Sequence, residues 1–301
     1  MANKIKFPIK LRLPEDVIWG DEREKIIKRF SNICLLYNKF PLIWTKKDNL
    51  NEAFQTDYNY FNDRDKKEKV SLKHQFLKEI IANVDISGTA ECLKEIIRRQ
   101  SSIAESLKNS GWYVESFNAT TASRLIIGLG GTSVIETGMT LHPLYGFPYL
   151  PGSGLKGLTR AYAEIAAEPR PNGDEVRDIF GSEDKNPYNV KNKSQGRVFF
   201  MDGLPIQFPK LDLDIMNPHY GDYYSGKKDT KGSPIPPADY LNPVPVTFLA
   251  VAAGQKFSFA IYSKDRNLVA KAKEWLIGGL TELGAGGKTN VGYGYFSVNN
   301  K

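Results

Sequence analysis

The sequence changes its hydrophobic period at Asn109-Ser110-Gly111, and that change constrains the fold more than any other feature. Before it, apolar residues recur at helical spacing. Ile26, Phe30, Ile33 and Tyr37 share a face, behind a capping-box pair at Asp21 and Glu24 and ahead of a stop at Pro41. Residues 45–65 lack a period and read as loop. Val70, Phe76, Leu77, Ile80 and Ile81 predict a second helix over 66–83. A third opens at Thr89, with Leu93, Ile96, Ile97, Ala104 and Leu107 inward and Arg98, Arg99 and Lys108 outward.

After Gly111, strand and helix patterns alternate. The run RLIIGL at 124–129 reads as a buried strand, and 153–168 as a helix with Leu155, Leu158, Tyr162 and Ile165 inward. Residues 196–202, 244–252 and 256–262 read as strands. A helix opens at Asn267, carries Leu268, Ala272, Leu276, Leu280 and Leu283, and ends at Gly284 before a short strand over 293–298. This order is compatible with an α+β class and a ferredoxin-like sheet. The expected division is a mostly helical N-terminal extension over 1–111 and a core over 112–301, interrupted by an insertion at 203–245. Eight of the 17 prolines fall in that insertion, which reads as an irregular functional loop or a partly disordered one.

With 301 residues, 41 Lys and Arg against 34 Asp and Glu, the chain carries +7. That points to a polyanion such as nucleic acid, but the excess divides as +4 over 1–120 and +3 over 121–301, so charge alone locates no site. Cys34 and Cys92 lie in apolar helical patterns and read as buried free thiols rather than a disulfide framework. Neither they nor His74, His142 and His219 have zinc-ligand spacing, so no metal and no cofactor is expected. No apolar run is long enough for a membrane span and the N-terminus lacks a signal-peptide core, so a cytoplasmic chain is expected.

Two glycine-rich stretches carry the chemistry. In ETGMTLHPLYGFPYLPGSGLKGLTR (136–160), Gly152, Ser153 and Gly154 lead into a helix, with Lys156 and then Arg160 one turn apart. Free amides, the helix dipole and the lysine make a phosphate cradle. The plainer alternative is a tight turn with solvated basic residues. In GLGAGGKTNVGYGYF, Gly286, Gly287, Lys288, Thr289 and Asn290 stand among glycines that admit a second backbone closely. Gly287-Lys288-Thr289 resembles a Walker A ending, but Glu282 stands where that motif needs glycine, and a helix precedes it where a strand belongs. The plainer alternative here is a turn into the last strand.

Catalytic candidates are sparse. His142 has the chemistry of a general acid or base, or is a packed aromatic neighbour. Glu136 and Asp202 are available carboxylates that no spacing brings together. Tyr220, Tyr223 and Tyr224 interleave with Lys227, Lys228 and Lys231, as in stacking platforms for single strands. The surrounding 205–242 holds four lysines and five aspartates and is not basic overall.

PYLPGSGLKGLTRA, GRVFFMDGLP and GLGAGGKTNVGYGYF together resemble the RAMP superfamily of CRISPR-associated proteins. The string SRLIIGLGGTSVIETGMTLHPLYGFPYLPGSGLKG resembles more specifically the subunit-six branch of the type III-B Cmr effector complexes. The likeness covers about 120–202 and 244–298. It implies a ferredoxin-like or RRM-like RAMP core in a subunit near the end of the Cmr filament. Such a subunit touches the 3′ part of the guide RNA and its duplex with target RNA in antiviral defence. Its partners are the backbone RAMP subunits, which do the cleaving, and the neighbouring head RAMP subunit, so this chain is expected not to be an enzyme. By motif, Gly152, Ser153, Gly154 and Lys156 line the guide path and Gly286 to Asn290 lie beside the backbone, with His142 and Arg160 as neighbours. Residues 203–245 stand where related subunits carry a protruding thumb hairpin, making Tyr223, Tyr224, Lys227 and Lys228 candidate thumb contacts. Two competing functions are a RAMP endoribonuclease using His142 and a pure assembly protein.

Overall fold

The structure, a computed structural model, describes residues 32–38, 60–63, 66–131, 133, 137–182, 194–217, 220–238 and 245–298. Asp21, Glu24, Ile26, Phe30, Pro41, Glu136 and His219 lie outside the described residues.

The described N-terminal part holds α1 (Ile33–Asn38), a hairpin of β1 (Tyr60–Asp63) and β2 (Lys66–Ser71), α2 (Leu72–Asn83) and α3 (Ser87–Asn109). The hairpin corrects two expectations: residues 60–63 are not loop, and the second helix begins at Leu72 rather than 66. Val70 pairs with Phe61 instead of continuing the helical stripe. Short apolar runs do not separate strand from helix by period alone. Gly111, at φ 72°, ends the turn after α3 as expected.

The central sheet is antiparallel. Its order is β11 (Phe296–Ser297), β3 (Tyr113–Thr121), β10 (Lys256–Ser263), β6 (Val198–Phe200), and β7 (Leu204–Pro205) also pairs with β10. Helix α4 (Gly152–Ile165) falls between β3 and β6 in the chain, and α7 (Arg266–Gly278), continued by a π-helical turn at Gly279–Leu283, falls between β10 and β11. β3 and β10 pair along eight positions, from Lys256 opposite Thr120 to Ser263 opposite Tyr113.

Alternation along β10 sends Phe257, Phe259 and Ile261 to one face, where they join Leu155, Ala163, Val269, Ala272, Trp275 and Leu276 in the core. Asp265 caps α7 by accepting the N–H groups of Asn267 and Leu268, so the helix starts one residue earlier than the apolar stripe indicates. In α4 the buried row is Leu155, Thr159 and Ala163; Ile165, expected inward, is 68% exposed because it falls on the far side of Leu155 from that row. Tyr162 lies flat against Gly278, where any Cβ would stand 2.2 Å from its ring.

The opposite sheet face carries Ser116, Ser258 and Ala260, and α3 lies over it. Gln100 on α3 donates to the Asp202 carbonyl at 3.0 Å. Trp112, Phe199 and Tyr262 cluster at one end of this face, with the Lys264 ammonium 4.8 Å above the indole.

A second sheet pairs β8 (Leu211–Met216) with β9 (Val246–Val251) and is covered by α2, whose His74 meets Thr247 at 3.2 Å. The insertion is therefore not wholly irregular, since β8 is a regular strand in full register with β9. The run RLIIGL forms no strand of its own. Only Leu125 bridges to Val251, while the carbonyls of Arg124, Ile126 and Ile127 accept from Gly294, Gly287 and Thr140. Leu125, Ile126 and Ile127 are buried, and loops rather than a ladder satisfy most of the run's backbone. Helix α5 (Gly173–Phe180), with an Asn172–Glu175 capping box, leads into a small hairpin of β4 (Gly181–Ser182) and β5 (Ser194–Gln195). Cys34 and Cys92 are half-buried free thiols rather than fully buried ones. Among the described residues no helix is long and apolar enough to cross a membrane.

Candidate nucleic-acid interface

Gly152 opens α4 because nothing larger fits there: a Cβ would stand 2.3 Å from the Phe200 carbonyl oxygen. Its N–H donates to Asp202 Oδ1 at 2.7 Å. The first amide of the expected phosphate cradle is thus buried and already holds an internal carboxylate. Asp202 gave no local signal of this role, since its partner lies 50 residues away.

The exposed side of α4 is different. Ser153, Lys156, Gly157 and Arg160 form one wall of a cleft of about 430 Å³, and Gly181, Ser182, Ser194, Gln195 and Gly196 of the β4–β5 hairpin form the other. Lys156 has no carboxylate partner among the described residues. Arg160 pairs with Glu164 at 2.8 Å across an exposed helical turn. Such a pair is worth only about 0.3–0.5 kcal/mol, so the guanidinium is easily recruited by a phosphate. Glycine costs about 1 kcal/mol in a helix relative to alanine. Yet a Cβ at Gly154 or Gly157 meets nothing within 4 Å. The fold needs Gly152 but neither of these two.

His142 sits just beyond this end of α4. Its ring centroid lies 4.8 Å from that of Tyr145, 5.0 Å from Phe147 and 5.8 Å from Tyr149. Its Nδ1 is buried without a hydrogen-bond partner. Burial lowers its pKa, partly opposed by the Asp202 charge. The loop beneath it is held by α1: Asn32 donates to the carbonyls of Pro143 and Leu144, and the Tyr37 hydroxyl donates to Thr137. Gly146 has φ 72°, and a Cβ there would strike Asn32 Oδ1 at 2.6 Å, so α1 closes directly on the backbone.

The glycine-rich loop does not line the α4 cleft. The backbone that its glycines admit is the chain's own. A Cβ on Gly286 would lie 2.0 Å from the Ile126 oxygen, and one on Gly294 would lie 2.0 Å from the Ala285 oxygen. Gly287 donates to Ile126 at 2.8 Å. Lys288 is the only non-glycine with positive φ among the described residues, at 58°. A lysine there bears a backbone cost that glycine would not. It leads a short turn at Thr289–Val291, with Asn290 exposed.

The loop is tied to β8 through Asp212 and Asp214, which no motif marked. Tyr293 donates to Asp214 at 2.6 Å, and Arg124 bridges Asp212 and Asp214, each at 2.8 Å. Burial alone raises the Asp214 carboxyl, but hydrogen bonds from Tyr293 and the Ile215 N–H, together with Arg124, hold it below the usual aspartate range.

The candidate thumb residues lie on the 217–245 excursion between β8 and β9. Tyr223 and Tyr224 are exposed on α6 (Gly221–Tyr224), with ring centroids 5.5 Å apart. Lys227 pairs with Asp222 at 2.7 Å, and Lys228 bridges Pro234. Among the described residues, no group of three or more His, Cys, Asp and Glu is arranged to hold a metal.

Comparison with known proteins places the chain in a family. "CRISPR system Cmr subunit Cmr6" of Pyrococcus furiosus is 36% identical over 225 residues, which is 58% of this chain and 65% of that relative. "CRISPR system CMR subunit Cmr6" of Saccharolobus solfataricus is 26% identical over 98% of both chains. A chain of the cryo-EM structure of the type III-B Cmr-beta bound to cognate target RNA has the same fold, at TM-score 0.57 and 23% identity over 88% of this chain and 84% of that one. The RAMP superfamily profile matches residues 118–297, from β3 to β11 and through both glycine-rich motifs, and the chain belongs to that superfamily.

Proposed function

We propose that the chain is a non-catalytic RNA-binding subunit of a cytoplasmic type III-B CRISPR (Cmr) effector complex. It caps the filament and holds the 3′ part of the guide RNA and its duplex with target RNA. Backbone RAMP subunits and a neighbouring head RAMP subunit are its protein partners. The observation that carries this reading is the exposed side of α4, where Lys156, without a carboxylate partner among the described residues, and a weakly paired Arg160 face an open cleft beside two glycines that meet no neighbour within 4 Å. The Cmr6 relatives support the assembly.

The order β3-α4-β6-β10-α7-β11 supports a ferredoxin-like, RRM-like core with residues 1–111 as an extension. RRM sheets stack bases on an open face. Here α3 packs over part of that face and leaves Ser116 exposed in a cleft, and the RNA is assigned instead to the helix side, over Ser153, Lys156 and Arg160. The guide supplies sequence recognition, and the protein reads shape and phosphate. Lys288, Thr289 and Asn290 make a second backbone contact. Tyr223, Tyr224, Lys227 and Lys228 act as the thumb that splays the duplex.

Photocrosslinking in the assembled complex tests this. RNA crosslinks should map to 140–160 and 284–295. Their absence from both segments would favour a pure assembly role.

A further inference from the structure

The cleft beside α4 has two walls of different chemistry, cationic on the helix and amide- and hydroxyl-bearing on the β4–β5 hairpin. We propose that it seats one ribonucleotide of an RNA strand: Lys156 and Arg160 hold the phosphate, and Gln195 across the cleft reads the ribose 2′-hydroxyl, giving preference for RNA over DNA. This rests on the RNA-binding reading of α4 and deepens it.

Three observations carry the proposal. Gly157 lies on the cleft wall in mid-helix, where glycine weakens a helix, and its missing Cβ faces open space. A bare helix surface there lets a sugar–phosphate chain sit against it. The hairpin wall is held in place. Gly181, at φ 84°, would strike the Ser194 oxygen at 2.5 Å if it carried a Cβ, and Gly196 would strike the Ile179 oxygen at 2.5 Å. Next to them Arg197 binds Asp178 at 3.1 Å and Asp265 at 3.0 Å. A wall fixed in advance makes its hydrogen bonds with little ordering cost. Finally, Gln195 is exposed and has no side-chain partner among the described residues. Its amide both donates and accepts, so it matches a 2′-hydroxyl, which does the same. The volume of about 430 Å³ suits one nucleotide unit rather than a duplex.

The test is fluorescence anisotropy of the full chain with a 12-nucleotide oligouridine RNA and the matching deoxyuridine DNA. The wild type should prefer the RNA. Gln195→Ala should lower RNA affinity about fivefold, the scale of one hydrogen bond, and collapse the RNA-to-DNA ratio. Gly157→Leu should bind both strands more weakly while its Tm does not fall, because the added side chain enters the cleft and not the core. Lys156→Ala should weaken both strands. If Lys156→Ala weakens binding but Gln195→Ala keeps the ratio, the cleft assignment is overturned and the wider reading stands. If Lys156→Ala leaves RNA binding unchanged, or the wild type binds no RNA, both are overturned.

Discussion

The Asp202 carboxylate accepts the Gly152 N–H at 2.7 Å, so α4 begins on an anion supplied by the chain itself. A cap of this kind is worth about 1 kcal/mol. Its charge also sits near the proposed RNA path. Asp202→Asn keeps an acceptor and removes the charge. It should cost under about 1 kcal/mol in chemical denaturation and should raise RNA affinity at low salt. A fall in affinity would mean that Asp202 serves RNA rather than the helix.

His142, ringed by Tyr145, Phe147 and Tyr149 with Nδ1 buried and unbonded, is placed as a packing residue. Its pKa is lowered mainly by burial. A depressed histidine pKa means that its stabilising contribution is complete above the unfolded value near 6.5 and is lost as pH falls through the folded value. Melting curves from pH 7.5 to 5 should show this loss in the wild type and a flatter profile in His142→Phe. RNA incubated with the purified chain without metal should stay intact for both proteins. Cleavage by the wild type that His142→Ala abolishes would establish the endoribonuclease alternative.

The glycines separate into two classes with opposite expected signs. Gly286→Ala and Gly294→Ala place a Cβ 2.0 Å from a backbone oxygen at positive φ, and each should cost several kcal/mol. Gly154→Ala meets open space in a helix and should stabilise by about 0.5–1 kcal/mol. Denaturant midpoints for the three variants decide the matter; equal effects would contradict the packing described here.

The Arg124–Asp214–Tyr293 network predicts an acid-side response. Asp214 lies below its ordinary value despite its burial, so its contribution is present above about pH 4 and is lost as pH falls further. Asp214→Asn should flatten the loss of Tm between about pH 4 and 3 relative to wild type. Parallel curves would remove Asp214 from the account.

Much of this architecture was legible in the sequence. α3, α4, β10 and α7 lie close to where period and caps put them, because each has a long stripe and a clear end signal. The 124–129 run was misread because burial and strand pairing leave the same apolar signature, and here loops take the hydrogen bonds. The β1–β2 hairpin is local but its polar strands carry no clear alternation, Ile165 lies at the edge of its helical stripe, and β8 depends on β9 across the insertion. Of the candidate site, the motif at 152–160 marked the helix that forms one wall of the cleft. It did not show that Gly152 is an internal packing position while Gly157 faces outward, nor that the β4–β5 hairpin stands opposite. The roles of Asp202, Arg124 and Asp214 were not legible, because they are contacts across 50 to 90 residues.

The central claim is that Lys156 holds an RNA phosphate. The direct measurement is RNA affinity of the assembled complex against salt concentration, wild type beside Lys156→Ala. The variant should bind RNA of any sequence more weakly, and its slope of log affinity against log salt should be shallower by about 0.7, the share of one phosphate contact on a single strand. Identical affinity and slope would contradict the account.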